Sequence, residues 1–300
     1  MARCGERFSE RDAHKHEQEQ AVARYLGLSV GGAKSDHTCL TVIDYYRKQE
    51  KSFVVDIFES IGPEGEQTSD QVLIELVDEM SEVSKELSNS GENGVRIMGV
   101  DAPLSLPPCL LGCEAACQGY DKCKRPEVKW MRQQYLKQKS KNSKLKHFTP
   151  YSQRPVDLYF RYKHPEHNLF QDETMGANLA PQAVRMNYLK RHFGELNLVE
   201  VWPKLSLFYL QKPLKLSKRE VLDYRHIERG AHVRQRIIDR LVEKSNIFIY
   251  ERDLKKFVTN MDAFDSFLCA WVAMQSDLNQ VVKFKSDVPL DSGWVQIPEL

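Results

Sequence analysis

Apolar residues recur with two different periods along this chain, and the switches between them mark out its elements. Val22 to Val30, Thr38 to Tyr46 and Phe53 to Phe58 are rich in β-branched and aromatic residues and read as three strands. The links Gly31-Gly32-Ala33-Lys34-Ser35 and Arg47-Lys48-Gln49-Glu50 are short, which predicts an antiparallel meander. Gly31-Gly32 lacks the G-x-G-x-x-G spacing of a phosphate loop and precedes a strand, so it reads as a hairpin turn. From Asp70 to Leu87 the period becomes helical, with Val72, Leu73, Leu76, Val77, Met80 and Val83 on one side and Ser69 or Asp70 as N-cap. Ser88-Asn89-Ser90-Gly91 ends that helix. A fourth strand carries Val95, Ile97 and Val100 and stops on Asp101, just before Pro103.

After Pro103 the regular pattern breaks for about a hundred residues, until a helix at Leu179 to Phe193 carrying Val184, Met186 and Leu189. Leu196 to Val201 is a fifth strand, and Leu205 to Leu210 starts a helix. Arg219 to Val242 is a long basic helical region whose arginines 225, 229, 234, 236 and 240 suit a solvated face. Met261 to Ala273 is a strong helix with Phe264, Phe267, Leu268, Trp271 and Val272 as its buried stripe. Val281 to Phe284 and Gly293 to Pro298 close the chain. Residues 1–20 have no apolar period and read as a disordered tail. The meander, crossover helix and parallel fourth strand are the opening of a ribonuclease-H-like fold. The expected architecture is α/β: one domain over 21–300, with a mixed five-stranded sheet flanked by helices and a large helical and loop insertion at about 105–195.

Composition narrows the setting without choosing a partner. Hydrophobic residues make up 41% and charged residues 28%, as in a soluble globular protein, and 43 basic side chains nearly cancel 42 acidic ones. There is no apolar run of about 18 residues and no signal-like N-terminus, so no membrane span or secretion is expected and the chain reads as cytoplasmic. Seven cysteines in such a chain suit thiols or metal ligands better than a disulfide framework.

The chemistry-bearing residues fall into three groups. The first is carboxylates at element ends. An aspartate ending a buried strand is costly without a partner, so Asp101 is either a cap of the following turn or a metal ligand or acid/base group at a sheet edge. Glu200 repeats the pattern before Trp202-Pro203. Asp262 and Asp265 share a face of the late helix; they could complement its dipole, but Asp265 lies beside buried positions. The second group is Cys109, Cys113, Cys117 and Cys123, spaced C-x3-C-x3-C-x5-C. That is unlike a zinc ribbon, yet thiolates so close suit zinc or an iron–sulfur cluster. The third is Lys122 to Arg154, with 11 Lys/Arg, one acidic residue and the rings of Trp130, Tyr135, Phe148 and Tyr151 interleaved. It reads as a nucleic-acid contact or as a solvated loop. His164-Pro165-Glu166-His167 reads as a surface loop, because the proline prevents helical alignment of its histidines.

Taken in order, Gly27-x-x-x-Gly31-Gly32, Asp101-Ala102-Pro103-Leu104-x-Leu106-Pro107, Glu200-Val201-Trp202-Pro203, Asp262-Ala263-Phe264-Asp265 and Gly293-Trp294 resemble the domain of unknown function 429 family, over about residues 21–298. That family is described as predicted nucleases of ribonuclease-H-like fold. The resemblance implies that Asp101, with Asp265 and Asp262, holds Mg2+ or Mn2+ for phosphodiester hydrolysis, with Glu200 as an added acid. Arg154, Asn178 and Arg185 correspond to polar positions that bind phosphate or orient a carboxylate. The family's first strand usually ends in an aspartate; here Ser29 stands in that place, and Asp36 substitutes only if its loop folds back. The implied activity is therefore a nuclease, weakened by Ser29, or a catalytically inactive nucleic-acid-binding or scaffold protein.

Overall fold

Every position of the first strand but its first residue is buried, which places it at the centre of the sheet. The computed structural model describes residues 22–32, 37–87, 95–113, 116–164, 173–176, 179–284, 287–289 and 293–300. The expected tail at 1–20, Asp36, Asn178 and His167 lie outside them. The chain begins β1 (Val22–Ser29), β2 (Cys39–Tyr46), β3 (Lys51–Phe58), α1 (Ser69–Leu87) and β4 (Val95–Asp101). The middle holds α2 (Pro126–Lys139), α3 (Pro155–Lys163) and α4 (Leu179–Leu189). Then come β5 (Asn197–Val201), α5 (Pro203–Tyr209), α6 (Lys218–Asp223), α7 (Gly230–Ser245), β6 (Ile247–Phe248), α8 (Glu251–Thr259), α9 (Met261–Asp277) and β7 (Val295–Gln296).

The strands form one seven-stranded sheet in the order β6-β3-β2-β1-β4-β5-β7. β2 runs antiparallel to β1 and β3, and the other pairings are parallel. The sheet is thus wider than the five strands expected from the sequence. The two extra strands, β6 and β7, are two residues long, too short to show a period of two.

Helices cover both faces, as parallel strands require. Leu26, Leu28, Met98 and Val100 pack with Leu73 and Val77 of α1 and Met186 and Leu189 of α4. On the other face Ala23, Tyr25 and Ile97 pack with α9 and with Ile237, Ile238 and Leu241 of α7. Helix α9 is buried without a break from Ala263 to Gln275. Two glycines let it lie directly on the sheet. Gly27 and Gly99 are register partners in β1 and β4. A Cβ on Gly27 would overlap the Ser266 carbonyl, and one on Gly99 the Cys269 carbonyl. The start of α9 is capped by Asn260, whose side chain accepts from the backbone N–H of Asp262 and Ala263. Its last residue, Asp277, accepts from Tyr25 at 2.6 Å and pairs with Arg47 and Arg96.

The insertion has packed cores of its own. Val128, Trp130, Met131, Tyr135, Phe148 and Leu158 cluster with Val288, and Val156 and Phe160 with Leu205, Val295 and Ile297. Trp130, Tyr135 and Phe148 are therefore spent on packing, which leaves Tyr151 as the exposed ring among those interleaved with the basic residues. The basic helical region expected at Arg219 to Val242 is two helices, α6 and α7, separated at Tyr224–Arg229. Among the described residues no helix is long and apolar enough to cross a membrane.

Candidate active site

The carboxyl ends of parallel strands are where an α/β sheet leaves a crevice. Here a cleft of about 620 Å³ opens there, lined by Ser29, Asp101, Asp262, Lys204, Trp202 and Arg225, among others. Ser29 ends β1, Asp101 ends β4, and the two are register partners. Each lies two residues beyond its strand's glycine, Gly27 or Gly99, so all four sit on the α9 side. The close seat of α9 then delivers the aspartates of its first turns to the same place.

Arg225, from the stretch between α6 and α7, joins them. Its Nη2 lies 3.0 Å from Oδ2 of Asp101 and 2.7 Å from Oδ2 of Asp265. Asp265 is buried, with 1% of its side chain exposed, and its Oδ1 makes no well-formed hydrogen bond. The buried Tyr224 hydroxyl faces Asp265 closely enough to act on its charge, though not in good hydrogen-bond geometry. Asp262 stands one turn earlier on α9, 3.1 Å from Nδ1 of His37.

Burial disfavours the charged form of Asp265 and raises its pKa to about 7. Arg225 opposes the shift, while Asp101 and Asp262 add to it. Asp101 is also raised by burial, against the pull of Arg225. The Cys269 thiol beneath the pair is pushed well up by burial, with both aspartates adding to the effect. The cluster therefore carries more negative charge than Arg225 alone relieves.

Glu200 is near but differently employed. Arg154 grips it with two donors at 2.7 Å, Trp202 Nε1 donates at 2.8 Å and the Leu104 backbone N–H at 2.9 Å. Arg154 is fully buried and also donates to Asp157, Thr174 and Ser105. Burial works against its charge, and Asp157 and Glu200 overcome this, so its pKa is raised. This network ties β5 to the insertion and to the chain just after Asp101. Arg185, on α4, donates to Asp70 at 2.7 Å and to the Gly31 carbonyl and Thr38 hydroxyl at 2.8 Å. It braces the end of β1 from below, and its buried Nη2 has no partner among the described residues.

The structure thus gathers Asp101, Asp262 and Asp265, with Glu200 close enough to act on Asp101. Sequence reasoning passed over Arg225 as one of many arginines on a solvated face. The available signal was the break in helical period around it. Lys204 was passed over too; burial lowers its pKa and Arg225 lowers it further.

The cysteines form a separate group in the insertion. Cys113 and Cys117 are exposed, and Cys109 and Cys123 half-buried. Burial raises the Cys109 pKa, and Cys113, Cys123 and Cys117 each add to it, so the four thiols are neighbours. As the side chains stand, no group of three or more His, Cys, Asp or Glu among the described residues is placed to hold a metal ion. His164 ends α3, and its Nε2 hydrogen-bonds with the Tyr209 hydroxyl at 2.9 Å.

A family model described as "Protein of unknown function (DUF429)" matches residues 65–289, well over half of the chain. No curated protein and no solved structure matches.

Proposed function

The chain belongs to the DUF429 family of proteins of unknown function, and on that premise we propose that it is a divalent-metal-dependent nuclease of ribonuclease-H-like plan. One observation carries the reading: carboxylates from the end of β4 and the start of α9, far apart in sequence, meet in a cleft at the carboxyl edge of the sheet. The strand order β3-β2-β1-β4-β5 with β2 reversed supports the plan.

By ligand chemistry, though not yet by placement, the donors suit one Mg2+ or Mn2+ better than a pair. Asp101, Asp262 and Asp265 are hard oxygen ligands, and Oδ1 of Asp265 has no hydrogen bond of good geometry, so a cation there would find an acceptor still available. Ser29 offers only a neutral hydroxyl beside Asp101, so the set has no further carboxylate there that a second ion would need. The ion would supply Lewis-acid chemistry, activating water for attack on phosphorus and neutralising the leaving oxygen. Lys204 and Arg225 supply positive charge for the phosphodiester in the same cleft. Glu200, with its oxygens taken by Arg154, Trp202 and Leu104, holds the chain after Asp101 in place. Arg154 and Arg185 act as braces in this reading, since most of their donors are spent on protein acceptors.

A test offers single-stranded, duplex and structured nucleic acids with Mg2+ or Mn2+. Cleavage is expected, with loss on chelation and in Asp101→Asn or Asp265→Asn. Cleavage that survives both would sink the assignment. Ser29 favours a second reading, a catalytically silent nucleic-acid-binding protein. Its mark is binding that weakens steeply with salt and is never followed by turnover.

A further inference from the structure

We propose that Arg225 is the resident cation of this site, occupying the space between Asp101 and Asp265 and competing there with the divalent ion. The proposal rests on the metal-dependent reading above and adds a residue to it.

The first observation is geometric. A single guanidinium nitrogen, Nη2, reaches both carboxylates, at 3.0 and 2.7 Å. A charge so placed lies between two of the carboxylates that would hold the ion. This gives a physical reason why carboxylates gathered in one cleft do not form a metal-holding group as they stand. The second observation is that the pairing leaves the site incomplete. Oδ1 of Asp265 stays buried, with only the poorly aligned Tyr224 hydroxyl near it, so Arg225 does not satisfy every acceptor present.

The third observation concerns how each partner is attached. Asp101 ends a central strand, and Asp265 lies in a helix seated directly on the sheet. Arg225 belongs to neither a helix nor a strand. It lies in the Tyr224–Arg229 stretch between α6 and α7, its side chain is 36% exposed, and Ile227 in the same stretch is 97% exposed. Its guanidinium can leave the aspartates without breaking a hydrogen-bonded element. A phosphate entering the cleft gives it an alternative acceptor of matching fork geometry.

Competition predicts that removing the guanidinium opens the site to metal. The test measures Mn2+ affinity of the full chain from the free-ion electron paramagnetic resonance signal. Wild type, Arg225→Gln and the double variant Asp101→Asn/Arg225→Gln are compared. Loss of charge-assisted bonds to a buried carboxylate should tighten Mn2+ binding by about tenfold or more in Arg225→Gln. The double variant should lose that gain. A parallel measurement on wild type covers failure of the variant to fold: saturation with Mg2+ should shift the Arg225 Nε–H resonance. Equal, measurable affinity in wild type and Arg225→Gln, or an unmoved resonance in Mg2+-saturated protein, overturns the competition and leaves the metal-dependent reading standing. No Mn2+ binding by any of the proteins at millimolar concentration overturns both.

Discussion

At Asp265 burial and charge can be separated by measurement. A free aspartate titrates near 4, and here burial raises the value to about 7. The folded state therefore binds this proton more tightly than the unfolded state does. Stability contributed at low pH falls as pH rises from about 4 and is fully lost above about 7. Asn at 265 removes the charge while keeping a similar shape. With chelator present, Asp265→Asn should be more stable than wild type at pH 8, by on the order of 1–4 kcal/mol. The difference should shrink toward zero near pH 4. Urea unfolding at both pH values decides it; a gap that does not change with pH would mean that Asp265 is not held above its ordinary range. Asp101 and Asp265 could be found in the sequence because each has a local signature, a strand stopped by proline and an aspartate early in a helix beside core positions. Arg225 has only the break in helical period around it, since its place depends on where two helices are interrupted in space.

The same contrast holds among elements. β1 to β5 and α9 were legible because their apolar periods run for several residues. Helices α2 and α3 were not, and both begin with proline at the first helical turn, a start signal that was there to be read. In α2 the buried Val128, Trp130, Met131 and Tyr135 are interspersed with lysines and arginines, which blurs any stripe. The seating of α9 is the element-scale contact on which the site depends, and it turns on two missing side chains. Gly99→Ala would drive a methyl into the Cys269 carbonyl, whereas at Gly62 the nearest atom to a new Cβ is 3.6 Å away. Overpacking of this kind costs about 1–3 kcal/mol or more. Gly99→Ala should therefore lower the urea midpoint clearly while Gly62→Ala leaves it nearly unchanged. Similar midpoints for the two would argue against direct contact between helix and sheet.

In the whole molecule, one sheet covered on both faces carries the carboxylates, and an insertion with cores of its own carries the cysteines and most of the basic run. Three of the rings interleaved with that run, Trp130, Tyr135 and Phe148, pack inside the insertion, and Tyr151 is left exposed. Thiol reactivity should follow the same division. Among the described cysteines, alkylation of the native protein at pH 8 should label Cys113 and Cys117 first. Cys39 and Cys269 should react only on unfolding, since burial raises both thiols, Cys39 to about 12. Prior addition of Zn2+ should protect Cys113 and Cys117 if the four insertion thiols close around an ion. Unprotected labelling at stoichiometric Zn2+ would remove that metal from consideration.

Helix α9 is secured at both extremities, by the Asn260 cap at one and by Tyr25, Arg47 and Arg96 around Asp277 at the other. A rod pinned twice and pressed onto bare glycine backbone has no freedom to slide or roll. The gap between its aspartate and the strand-end aspartate is consequently a fixed gauge, set when the protein folds. Whatever this pocket admits or refuses, adjustment has to come from the opposing chain segment, so evolution or engineering could retune it there without disturbing the scaffold.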